Sequence, residues 1–201
     1  MASLRATQKA MTRKLLFDTA FELFQAKGYA ATTVDDIAAA AGTTRQTFYA
    51  HYPSRADLMR VLIGELNTHL ERIASPAHGS TARALVAVAA DGSRDAIARW
   101  LHEASGQWDT IRPYLTVAFD AAAVDPELRQ LVAQWLEEGI ADIIDGLNEA
   151  NRFPAGTRHT RAALAMAQLD FTARNWEHWD APLEDVLDVL ADGWHDLLGR
   201  D

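Results

Sequence analysis

Residues 32–52, TTVDDIAAAAGTTRQTFYAHY, read as a helix, a tight turn and a second helix. Val34, Ile37, Ala38 and Ala41 fall at i, i+3, i+4 and i+7, so they share one apolar helix face. Thr33 precedes that face and Asp36 follows it three residues on, a capping pair like the Ser/Thr-x-x-Glu box with a shorter acid. Gly42 ends the helix, because glycine takes the left-handed terminal conformation without a steric cost. Thr44 caps the next helix, whose apolar positions are Phe48 and Tyr52. That helix offers Arg45, Gln46, Thr47, Tyr49 and His51 as polar side chains, and the alanines at 38–41 leave room for it to cross its neighbour closely. This is the recipe for a helix-turn-helix whose second helix enters the major groove of DNA.

The flanks make the pattern far more specific. A first helix carries Leu16, Ala20, Leu23 and Phe24 as its buried stripe and ends at Lys27-Gly28-Tyr29. Thr32-Thr33-Val34, Ile37-Ala38, Ala41-Gly42, Thr47-Phe48-Tyr49, His51-Tyr52, Ser54-Arg55 and Asp57-Leu58 follow. The run from Arg13 to Leu58 resembles the DNA-binding domain of the TetR family of transcriptional regulators. Ala50 and Pro53 depart from the family's usual larger polar and basic residues.

The resemblance implies a ligand-responsive regulator, by default a repressor, that binds a palindromic operator as a dimer and is released by a small apolar or amphipathic molecule. Arg45 suits bidentate pairing with guanine O6 and N7, and Gln46 with adenine N6 and N7. Thr43, Thr44 and Thr47 can give hydroxyls to phosphate or methyls to thymine. Tyr49, His51, Thr33 and Arg55 match family positions that contact the DNA backbone.

Net charge is −9, which at first argues against a partner that is itself a polyanion. The distribution reverses that reading. Residues 1–60 hold eight Lys/Arg and five Asp/Glu, a balance of +3, whereas residues 61–201 hold eleven Arg and 23 acids, a balance of −12. Affinity for a polyanion follows the local field of the docking face, not the total. With no cysteine, disulfides, thiol nucleophiles and thiolate metal sites are excluded, which suits a reducing cytoplasm. No apolar run is long enough to span a bilayer, and no secretory signal opens the chain.

Hydrophobic periodicity predicts an all-α chain. An N-terminal three-helix domain occupies 1–53, and a ligand-binding and dimerisation domain occupies 54–201, entered through a connecting helix at about 54–73. Residues 1–7 read as an arm in which Arg5, with Lys9 just beyond, either meets DNA or stays disordered. The stretch 75–81, SPAHGST, is turn-rich; 82–90 is small and apolar; helices follow at about 94–107, 110–123, 126–151, 157–178 and 182–198. No Val/Ile/Thr alternation is long enough for a strand.

Leu183, Val186, Leu187, Leu190, Trp194 and Leu197 repeat at three and four, a seam that serves either an intrachain core or pairing of two copies. In the family the last two helices form a four-helix dimer interface, so a homodimer is expected here. All six tryptophans lie beyond residue 99. A helical body rich in aromatic rings can enclose an apolar cavity, and segment 110–198 is similar to the subgroup that represses the activator of ethionamide. Trp100, Trp108, Phe119, Trp135, Gln168, Phe171 and Trp194 are the pocket candidates, with plain core packing as the alternative for each ring. Glu184, Asp188, Asp192 and Asp196 recur every four residues as a wet helix face, with a cation site as the weaker reading. No metal-ligand spacing, phosphate loop or nucleophile elbow is present, so neither a cofactor nor an enzyme is expected. The rival function is a non-regulatory binding module.

Overall fold

In the computed structural model, which describes residues 4–199, ten α-helices and one short hairpin follow one another. They are α1 (Leu4–Lys27), α2 (Val34–Ala40), α3 (Arg45–His51), α4 (Arg55–His69), β1 (Ile73–Ser75), β2 (Gly79–Thr81), α5 (Arg83–Asp91) and α6 (Arg94–Ser105). The chain continues with α7 (Trp108–Val124), α8 (Pro126–Glu149), α9 (Ala155–Asn175), a 3-10 turn (Trp176–His178), α10 (Leu183–Trp194) and a π turn (His195–Gly199). The class is all-α, as the periodicity requires.

Three local departures have physical causes. Residues 4–7 are the start of α1, not an arm, because Leu4, Arg5 and Ala6 are strong helix formers and nothing between them and Lys27 breaks the ladder. Residues 1–3 of that expected arm lie outside the described residues. The turn-rich stretch holds an antiparallel pair, with Ile73 opposite Thr81 and Ser75 opposite Gly79; strands of three residues are too short to show an alternation. The pair is fixed from outside itself. Buried Arg72 donates to Ser80 Oγ at 2.8 Å and pairs with fully buried Asp142 of α8 at 2.9 Å, and the N–H of Ala82 reaches the same carboxylate at 3.0 Å. The small apolar segment 82–90 becomes α5, which packs on α6 and brings Ala89 and Ala90 against Gly146 of α8.

The chain divides into two compact units that are discontinuous in sequence, a different cut from the one expected at 53/54. One comprises the stretch through Gly64 together with Pro113–Val132; the other comprises Glu65–Arg112 together with the stretch from Ala133 on. In the first, Leu16, Ala20 and Phe24 of α1, Ile37 and Ala38 of α2, Phe48 of α3, Tyr52, and Leu58 and Leu62 of α4 are buried. The α7–α8 corner belongs to this unit. The rings of Tyr114 and Phe21 are 4.5 Å apart, Tyr29 donates to Asp125 at 3.5 Å, and Arg60 pairs with both Asp57 and Glu127. Burial, with the Asp125 and Glu127 charges, holds the Tyr29 hydroxyl above its ordinary pKa against the opposing pull of Arg55.

In the second unit α10 lies along α6. Trp194, fully buried, stacks on Trp100 at 5.4 Å and donates to the carbonyl of Ala165 at 3.1 Å. Arg94 of α6 ties down Asp188 and Asp192 at 3.2 and 2.7 Å, so two of the four regularly spaced acids of the last helix are ion-pair partners. Arg152 gathers the carbonyls of Ala89, Ala90, Asp91 and Leu198 at 2.8–3.1 Å, satisfying groups that the ends of α5 and the π turn leave open.

Candidate nucleic-acid interface

The local chemistry of residues 32–52 is complete on both sides of the turn. Thr33 Oγ1 accepts from the N–H of Asp36 at 3.1 Å, and Asp36 accepts from the N–H of Thr33 at 2.8 Å, closing the capping box. Lys27, at 2.9 Å, holds the Asp36 carboxyl well below the usual carboxylate range, and the backbone and hydroxyl of Thr33 add to the effect. Gly42 turns the chain at φ +62°. Thr44 Oγ1 accepts from the N–H of Thr47 at 3.1 Å and starts α3. Phe48 and Tyr52 anchor α3 inward, and the hydroxyl of Tyr52 donates to the carbonyl of Arg13 at 3.0 Å. Arg13 returns the contact, lying 4.4 Å over the Tyr52 ring and donating to the carbonyl of His51 at 2.9 Å.

With those anchors inside, the outer edge of α3 is set. Arg45, Gln46 and Tyr49 are exposed, and Thr33 and Thr44 are exposed beside them. Thr43 and Thr47 are half-buried; the Thr43 hydroxyl donates to the carbonyl of Thr44 at 3.2 Å, and the Thr44 and Thr47 hydroxyls share a bond of 3.0 Å. His51 is half-buried and its Nδ1, enclosed, has no hydrogen-bond partner. Eight of the nine candidate DNA contacts therefore lie on the cap of α2, the turn and α3.

Arg55, half-buried at the start of α4, is set apart from them by an inward contact. Its Nη1 donates inward to the carbonyls of Tyr29, at 2.8 Å, and Thr32, and its guanidinium lies 4.4 Å over the Tyr29 ring. Both carbonyls belong to the α1–α2 loop, so this donor is committed inside the head. Asp35 was not anticipated: its carboxylate reaches Arg45 Nη1 at 3.2 Å, and the only trace in sequence is an acid ten residues before that arginine.

The seven pocket candidates are divided between the two units. Trp194 and Trp108 are buried in core, and half-buried Trp100 stacks on Trp194. Half-buried Trp135 donates to Asn67 at 2.8 Å. Phe119 lies in the part of α7 that belongs to the other unit. Gln168 and Phe171 point outward from α9, the latter 55 % exposed with Leu164 one face-repeat away. Helical spacing identified their face but not which side of the helix carries the core. A cavity of about 420 Å³ does open beside the hairpin, lined by Ser75, His78, Arg83, Val86, Asp145 and Glu149 among others, none of them a candidate. Among the described residues no group of three or more His, Asp or Glu is placed to hold a metal ion, and no helix is long and apolar enough to cross a membrane.

With this geometry in view, residues 16–62 match the family model for bacterial regulatory proteins of the tetR family. The chain is 27 % identical over 190 residues to the HTH-type transcriptional regulator TtgR of Pseudomonas putida, covering 90 % of this chain and 85 % of that one. It is 32 % identical over 71 residues to SrpR of Pseudomonas putida, 35 % of this chain. The chain spans 32 %, 33 % and 53 % of the length of three further curated regulators it matches, SrpR among them. Its fold is similar to that of NalD, the secondary repressor of the MexAB-OprM multidrug efflux pump in Pseudomonas aeruginosa. The TM-score is 0.68 at 18 % identity, over 97 % of this chain and 99 % of NalD.

Proposed function

We propose that the chain is a member of the TetR family of bacterial regulatory proteins and acts as a transcriptional repressor that binds a palindromic operator as a homodimer and leaves it when a small apolar or amphipathic ligand binds. The observation that carries the reading is the edge of α3: Arg45, Gln46 and Tyr49 project from a helix whose start, turn and inner face are all fixed by its own neighbours. Arg45 and Gln46 read base edges, while Thr33, Thr43, Thr44, Thr47, Tyr49 and His51 hold the register on the backbone. The work of such a protein is cytoplasmic, where its duplex is.

One recognition helix gives too small a specificity ratio for a genome, so a second copy is needed. The surface for it is on α9 and α10. Leu164, Gln168 and Phe171 follow at i, i+4 and i+7 and are exposed, Trp179 lies 6.1 Å from Phe171, and Val189 is exposed on α10. Exposed apolar groups at helical spacing favour burial against a twin. The two heads then meet half-sites about 34–36 Å apart. Ligand release needs only that the effector bind more tightly to the arrangement that misfits the operator. Repression follows the NalD likeness and the steric effect of a dimer on a promoter; no pump is carried over with it.

The test is selection of bound fragments from a random duplex pool by the full chain, with binding then followed against salt. A dyad-symmetric consensus and a steep loss of affinity with salt are expected. A pool that stays unenriched at low ionic strength would end this reading.

A further inference from the structure

We propose that Asp35 is a positioning residue for base reading: it holds the Arg45 guanidinium in one pose at the head of α3 and thereby sets discrimination at the base pair Arg45 reads. The proposal rests on the assignment of α3 as the recognition helix.

A carboxylate on a face that meets phosphates is repelled by them, so its presence calls for a compensating role. Capping does not supply it, since Asp36 already closes the box with Thr33. Asp35 instead spans the turn. Its Oδ2 accepts from Arg45 Nη1 at 3.2 Å, while Arg45 Nη2 donates to the hydroxyl of Tyr49 at 3.5 Å, one turn further along α3. Arg45 Cζ lies 5.7 Å from the Tyr49 ring centroid, and that ring is itself set edge-on against buried Phe48 at 5.5 Å. The guanidinium is thus held from both sides, by one residue of each helix.

A guanidinium carries five N–H donors, of which these contacts use two. Three remain, and a bidentate guanine contact needs two. Arg45 therefore meets the groove already ordered, with donors to spare. A tethered fork cannot swing to a neighbouring base or phosphate when its guanine is replaced; an untethered one can. The restraint acts on discrimination more than on affinity.

The experiment uses the full chain. The operator comes from the pool selection, and the base pair read by Arg45 is the one whose preference Arg45→Ala abolishes. Anisotropy titrations then compare that operator with one altered at that pair, for the unchanged protein, Asp35→Ala, Asp35→Asn and the double variant Asp35→Ala/Arg45→Ala. Asp35→Ala should raise affinity for both duplexes by removing a negative charge, yet lower their ratio about two- to five-fold, the range of an exposed ion pair. Asp35→Asn, which keeps a neutral acceptor, should fall between. Without Arg45, Asp35→Ala should raise both affinities equally. If Asp35→Ala multiplies both affinities by one factor while Arg45 is present, Asp35 is a bystander charge and the inference is overturned. If the unchanged protein selects no duplex, the recognition reading falls and takes this inference with it, a failure distinct from an unchanged ratio.

Discussion

Replacing Arg55 with methionine keeps the stem and removes the fork, and the structure states what is lost. Arg55 Nη1 donates to the carbonyls of Tyr29 and Thr32, and its charge lies 4.4 Å over the Tyr29 ring. Thr32 is fully buried and its hydroxyl donates to the carbonyl of Gly28 at 2.8 Å, so Arg55 is the outer clasp on the loop joining α1 to α2. A hydrogen bond from a charged donor contributes about 1.5–3 kcal/mol and a cation over a ring about 0.5–1 kcal/mol at an accessible site. Arg55 is half-buried, and the Tyr29 carbonyl keeps a second donor, the N–H of Thr32 at 3.2 Å. Both facts favour the low end, a net loss of about 2–4 kcal/mol. At 2–4 °C per kcal/mol for a chain of this size, the melting temperature should drop by roughly 5–15 °C. Thermal unfolding followed by circular dichroism reads that drop, and the salt dependence of DNA binding is measured beside it. With Nη1 spent on the loop carbonyls, Arg55 is expected to leave the salt slope unchanged when it is replaced. A variant that melts with the parent and loses about one unit of salt slope would show a phosphate contact and refute the reasoning.

Three further outcomes are expected. Asp36 titrates below its unfolded range, first because of Lys27 and then Thr33, so its contribution is present in full above the ordinary carboxylate pKa of about 4 and vanishes as pH falls through the depressed native value. Acid unfolding should therefore separate the parent from Asp36→Asn near neutrality and bring the two together in strong acid; a constant gap at every pH would discount the titration. A Cβ on Gly146 would sit 2.7 Å from Ala89 Cβ and 2.8 Å from the backbone nitrogen of Ala90, so Gly146→Ala should cost about 1–3 kcal/mol in urea unfolding through overpacking. An unmoved midpoint would mean that α5 yields freely. Phe171→Glu should halve the mass seen by sedimentation equilibrium and weaken operator binding without changing helix content; an intact dimer would remove α9 from the interface.

What sequence could reveal here was whatever lies within one or two turns of itself. The Thr33–Asp36 box, the Thr44 cap and the turn at Gly42 each join residues three or four apart, so spacing alone specifies them. The inward contact of Arg55 was not legible because its acceptors are backbone carbonyls 23 and 26 residues upstream, and a carbonyl has no signature in sequence. The hairpin escaped because its stability comes from Arg72 and Asp142, an ion pair 70 residues apart. For the aromatic residues beyond residue 99, periodicity cannot tell a ring that faces a cavity from one that faces core or water. Trp194 and Phe171 carry similar apolar character, and only packing sends one inside and the other out.

The inclusion of Pro113–Val132 among the companions of α1–α3 bears on how such proteins can be recombined. A chimera that exchanges only the first sixty-odd residues would part Phe21 from Tyr114, Tyr29 from Asp125 and Arg60 from Glu127. A working graft has to carry two stretches of the gene together, and crossovers that preserve both should survive where a single splice does not.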